Sequence, residues 1–214
     1  MVGYKGVMKE RCQLHGGLCA KTAFSMIELL VVMAILLIVA TLYLSHMSPT
    51  ASRRDRDLTS CKDNLERIYL AMDMYARDNK GQYPVVANAQ TSEAALAPIV
   101  PHYSSDTGIF LCPASAAADT LQPTNVAFRD WKISYAYYMG WRSTDSVVVI
   151  SDAQIDVRPK SKGDTVFSET GKGPGNNHGK DGGNFMMNDG SVVSSGVSAP
   201  FPLRFTKPIV LLNP

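Results

Sequence analysis

Glu28 is the one charged side chain between Phe24 and Leu44, in a run reading FSMIELLVVMAILLIVATLYL. A carboxylate placed deep in hydrocarbon costs several kcal/mol unless it meets a cation, so such a residue is a functional candidate. A purely structural reading stands beside that one: Glu28 lies near the start of the run, where it reaches a polar boundary or stays protonated. Elsewhere, His178, Asp152, Asp181 and Asp189 are residue types that could assemble a metal or acid/base site. Asp181, Asn184, Asn188 and Asp189 are hard oxygen donors in a glycine-rich stretch, the donor set calcium prefers, and equally the residues that build turns. No H-E-x-x-H, no G-x-S-x-G and no phosphate-binding glycine loop occurs, and the glycines near His178 suit turns. The expectation is a chain without catalytic residues, not an enzyme, with calcium the one cofactor considered.

The elements that must carry these residues follow from patterning. The 214 residues are 45% hydrophobic and 19% charged, a globular composition. Residues 1–23 hold Lys5, Lys9, Arg11 and Lys21 against Glu10, net +3, and the remainder carries 17 basic and 18 acidic residues, net −1. No basic field of the size nucleic acid requires is present, so a nucleic-acid partner is not expected. The 21 residues from Phe24 to Leu44, as a helix, would span roughly 31 Å, the thickness of a bilayer core. A single transmembrane helix is expected at 24–44. It is too long for a secretory signal, and ATLYLSHMSP after it offers no peptidase site of the A-x-A type. Four basic residues before the helix favour an N-terminus inside, against Arg53, Arg54 and Arg56 after it.

Leu58, Cys61, Leu65, Ile68, Met72 and Tyr75 recur at helical spacing, so residues 45–80 read as an amphipathic spine helix, with Pro49 bending or interrupting its junction with the apolar run. Gly81 and Pro84 end that helix. A head at 81–214 follows, with a short helix near Ser92–Val100, strands at 108–112, 133–139 and 147–151, and a hairpin about Asn188-Asp189-Gly190. The expected fold class is α+β: a long helical spine against a small antiparallel sheet. Residues 156–183 read as an exposed loop, and no place is assigned to the tail FPLRFTKPIVLLNP. Cys12 and Cys19 precede the apolar run, whereas Cys61 and Cys112 follow it. The latter pair forms a disulfide in an oxidising exterior or stays as two partly buried thiols.

The segment KTA-FSMIELLVVMAILLIVATLYL resembles the N-terminal processing segment of type IV pilins and type II secretion pseudopilins. The shared features are a basic leader, a small residue, Phe, and Glu four residues later, opening a long apolar helix. Ala23 stands where that family usually has Gly, and the leader is long, with Met8 an alternative start. The resemblance implies cleavage by a prepilin peptidase between Ala23 and Phe24 and N-methylation of Phe24. It also implies storage in the inner membrane with the leader cytoplasmic and the head periplasmic or extracellular. Its implied partners are other pilin subunits, an inner-membrane platform protein and an assembly ATPase. Glu28 would set the register between subunits by meeting a neighbour's new amine. The alternative function is a membrane-anchored binding protein that never polymerises.

TSCKDNLERIYLAMDMYARDNKGQYP, FLCPAS, ISYAYYM and HGKDGGNFMMNDGSV resemble pilin-like proteins of planctomycetes and verrucomicrobia, whose signature is His, nine residues, then Asp-Gly. Here ten residues separate His178 from Asp189-Gly190. The same resemblance implies pairing of Cys61 with Cys112, each of which falls in a matching segment.

Overall fold

The computed structural model describes residues 25–45, 49–115, 127–145, 147–206 and 208–214. Two compact units meet in sequence at Ser48 and Pro49. The first contains helix α1 (Met26–Ser45), whose residues are exposed from Ser25 to Tyr43. A helix apolar on every side has no face of its own to turn to water, a pattern consistent with a membrane anchor.

The second unit begins with helix α2 (Pro49–Asp78). Proline suits its first position because the first turn has no internal partner for an N–H. Cys61, Leu65, Ile68 and Met72 are fully buried along one face, while Leu70 and Met74 on the other remain exposed. Asn79 donates to the Tyr75 carbonyl at the helix end, and Lys80 and Gly81 take the left-handed conformation that closes it. Helix α3 is short (Ser92–Leu96), with Thr91 accepting from the Ala94 N–H, and Pro98 then sits in a 3₁₀ turn from Ala97 to Ile99.

Five antiparallel strands follow, β1 (Tyr135–Met139), β2 (Val148–Asp152), β3 (Gly183–Met187), β4 (Val192–Ser195) and β5 (Val210–Leu212). Their spatial order is β4-β3-β2-β1-β5. The fold is α+β, an N-terminal apolar helix followed by a small antiparallel sheet. Tyr135 and Tyr137 of β1 join the core that includes α2, while Ala136 and Tyr138 join a second core on the opposite face. Strand alternation produces this division. A register shift between Val148 and Ile150 breaks it in β2: Val149 and Ile150 both enter the α2-side core.

Two segments depart from the reading of the sequence, and the tail, to which the sequence assigns no place, gains one. Residues 108–112 form no strand; Thr107–Phe110 is a 3₁₀ turn, started by the Asp106 carboxylate accepting from the Gly108 N–H. Ile109 and Phe110 are buried there, so a five-residue apolar run fills the core without pairing as a strand. Residues 156–183 are irregular but not wholly exposed, because Val166 and Phe167 supply the second core, packed against Phe185. Two apolar residues inside a polar, glycine-rich stretch leave no periodic signal. The tail becomes β5 on the open edge of β1, and Asn213 bonds to both the N–H and the carbonyl of Gln154.

The hairpin from β3 to β4 turns at Asp189-Gly190. Gly190 has φ of 85°, and Asp189 Oδ1 accepts from the Ser191 N–H and hydroxyl, which holds its carboxyl below the usual range. Gly182 is more constrained: φ is 97°, and a Cβ there would sit 2.0 Å from the Ser195 carbonyl oxygen. Gly182→Ala is therefore expected to destabilise the head by about 3 kcal/mol or more, because the strained φ and the clash with β4 backbone add. Urea unfolding of the purified chain measures it, and an unchanged midpoint contradicts this account of the turn.

Candidate functional site

Two places carry chemistry. The first is the start of α1. The N–H groups of Glu28 and Leu29 bond to the Ser25 carbonyl at 2.9 and 3.1 Å, and the Ser25 hydroxyl accepts from the Ile27 N–H. Glu28 thus occupies the first helical turn, where the helix dipole favours a carboxylate. Its side chain is exposed beside Ile27, Leu29, Leu30 and Val31, all exposed as well. The expected cleavage and methylation positions, Ala23 and Phe24, lie outside the described residues, as does the leader with Cys12 and Cys19.

The second lies inside the head, where α2, the turn at 107–112, the end of β2 and the segment 176–184 converge. Cys61 and Cys112 are disulfide-bonded with Cα atoms 5.3 Å apart, across a sequence separation of 51. Closing a loop of that length stabilises a fold by about 4 kcal/mol on the chain-entropy account. His178 Nε2 stands 3.5 Å from Cys112 Sγ and 3.3 Å from Asp152 Oδ2. Both members of that His–Asp pair are buried, Asp152 completely.

A buried carboxylate is tolerated where its oxygens are satisfied. Asp152 Oδ2 accepts from the Asn184 backbone N–H at 2.7 Å and from Asn184 Nδ2 at 3.1 Å. Its Oδ1 accepts from Asn177 Nδ2 at 2.8 Å, and the same amide also donates to the Ser134 carbonyl. Ser194 on β4 donates to Asn184 Oδ1 at 2.6 Å. Asp152 therefore ties β3, and through Asn184 also β4, to the end of β2 and to the 176–178 turn.

Of the four residues grouped in the sequence as a metal or acid/base set, the structure joins Asp152 and His178. Asp181 follows in the turn made by its N–H to the His178 carbonyl, and it lines a cavity with His178. Asp189 sits at the far end of β3, in the hairpin turn. The calcium candidates Asp181, Asn184, Asn188 and Asp189 do not converge. Asn184 and Asn188 are separated by about 13 Å of extended strand, more than one ion can bridge. Asn184 is committed to Asp152 and Ser194. Asn188 accepts from Tyr83, donates to the Asp145 and Arg142 carbonyls, and receives the Tyr69 hydroxyl on its own carbonyl. Tyr83 is buried there, and burial pushes its phenol up. Asn177 and the roles of Asn184 and Asn188 escaped sequence reading, since single Asn residues in a turn-rich stretch carry no pattern.

Residues 19–44 match the family model of the prokaryotic N-terminal methylation motif. The matched segment runs through α1 and includes Ala23, Phe24 and Glu28. It supports a pilin-like precursor with a membrane-anchoring helix, processed by a prepilin peptidase and partnered by other pilin subunits in general. No curated protein and no solved structure matches the chain.

Proposed function

We propose that the chain is a structural subunit of a pilin-like filament, an extended type IV pilus or a short type II secretion pseudopilus. The observation that carries this reading is α1 itself: an apolar helix exposed on every side, with one carboxylate in its first turn, inside a methylation motif. Such a helix is stable in lipid before assembly and against identical helices after it. Cleavage between Ala23 and Phe24 releases an amine one helical turn from Glu28, and methylation keeps that amine basic. In the filament the amine of one subunit meets Glu28 of the next, which fixes the axial stagger. The head faces the exterior, where the Cys61–Cys112 bridge persists. An inner-membrane platform protein and a cytoplasmic ATPase supply the work of extraction. The head's resemblance to the planctomycete and verrucomicrobial group supports a pilin-like subunit of that kind.

Mass spectrometry of the mature chain tests this reading. The expected N-terminus is methylated Phe24; a membrane-embedded chain that retains its leader up to Met1 contradicts it.

A further inference from the structure

We infer that Cys61, Cys112, His178 and Asp152 form a two-state centre, a disulfide when oxidised and a four-ligand site for a thiolate-binding divalent cation, zinc above all, when reduced. One ligand atom from each residue lies within 4.8 Å of all the others, and all four residues are buried. Ligands bound tetrahedrally to zinc at 2.0–2.3 Å stand about 3.3–3.8 Å apart. His178 Nε2 already meets that spacing, 3.5 Å from Cys112 Sγ and 3.3 Å from Asp152 Oδ2. The missing movement is a parting of the two sulfurs once their bond is broken.

Three further features fit a metal centre. The outer shell is built, since Asn177 and Asn184 hold the Asp152 carboxylate in place through three N–H bonds. One ligand reaches open space, for His178 lines a cavity of about 330 Å³ together with Asp57, Ala114 and Lys180. The four ligands also come from separate segments: α2, the stretch after the 107–110 turn, β2 and the 176–181 turn. A bound cation would therefore staple the two segments that the disulfide joins and add β2 and the 176–181 turn to them. Two thiolates and an imidazole select zinc over calcium or magnesium, which prefer all-oxygen sites.

The chemistry balances. A dithiol reductant gives two electrons and two protons to the Cys61–Cys112 bond and itself becomes a disulfide. Zn²⁺ then displaces the two thiol protons, while His178 binds through a ring lone pair and Asp152 as carboxylate. The site would hold the head together before oxidation, when the newly made chain still has thiols.

The test uses the full chain in detergent with Cys12→Ser and Cys19→Ser, made in a reducing cytoplasm, freed of metal, reduced with a dithiol and then freed of that dithiol without oxygen. Thiol counting first establishes two free thiols per chain, and Co²⁺ is then titrated as the probe. The expected result is one Co²⁺ per chain with a thiolate-to-cobalt charge-transfer band, displaced by Zn²⁺ and absent from oxidised protein. His178→Ala should weaken binding at least about tenfold, whereas His102→Ala, at an exposed residue, leaves it unchanged. No thiolate–cobalt band in the reduced chain overturns the inference. Equal behaviour of the two histidine variants also overturns it, because the cysteines would then bind cobalt without the folded site.

Discussion

A Glu28→Ala chain is expected to enter the membrane and lose its leader as the native chain does, yet to yield almost no filament. Insertion depends on total apolar character, and removing the single charge from Phe24–Leu44 only raises it. On the proposed reading, processing acts at Ala23-Phe24, four residues before the substitution. Assembly differs on that reading, because in the proposed filament each subunit buries a cationic amine among apolar helices. With Glu28 present, two charges that are each costly in hydrocarbon compensate one another. With alanine, the amine is left unpaired, a loss of about 3–5 kcal/mol for each contact. That corresponds to more than a hundredfold in association, roughly, and a filament multiplies it over many contacts.

The measurement is the ratio of sheared filament to membrane-stored subunit, by immunoblot. Glu28→Gln separates charge from shape: it keeps the side-chain size and should fail as alanine does. Filaments at the native level from either variant would remove the register role, whereas absence of filament from the native chain itself would favour an anchor that never polymerises. A low level of unprocessed precursor in both samples is the internal control that insertion and cleavage were unaffected.

How far the sequence reveals this molecule depends on the range of the interaction concerned. Helix α1 is legible because a run of twenty-one residues is apolar throughout but for Ser25, Glu28 and Thr41, a pattern that does not depend on tertiary context. Helix α2 is legible from a stripe repeated over five turns, and the β3–β4 turn from Asp189-Gly190, whose conformational preference is local. The segment at 108–112 misleads because a short apolar run suits any buried backbone, and the Asp106 cap that selects a 3₁₀ turn is a single residue. Strand β5 is three residues long, and only the free edge of β1 gives it a partner. The meeting of His178 with Asp152 and the Cys61–Cys112 bridge is least legible. It brings together residues 61, 112, 152 and 178, whose proximity exists only once the sheet has formed. The position of both cysteines beyond the apolar run leaves the bridge open and family likeness favours it, but nothing in the spacing points to the histidine beside it.

Asp152→Ala is expected to be the most damaging substitution in the head, by about 3–5 kcal/mol. The carboxylate is inaccessible to water and accepts three N–H bonds, from the Asn184 backbone, the Asn184 side chain and Asn177. Truncation leaves those donors buried without acceptors, and each such orphan costs about 1–3 kcal/mol. The backbone N–H of Asn184 matters most, since it lies within β3 and cannot rotate away. Asp152→Asn is the informative companion: it keeps volume and one acceptor oxygen, so it should cost less than alanine, by roughly half. Urea unfolding of the disulfide-intact chain, followed by tyrosine and tryptophan fluorescence, ranks the two variants against the native protein. If alanine were tolerated within about 0.5 kcal/mol, the network around Asp152 would contribute nothing net. The buried carboxylate would then need a reason other than holding the sheet together, which leaves its place beside His178 and the two cysteine sulfurs.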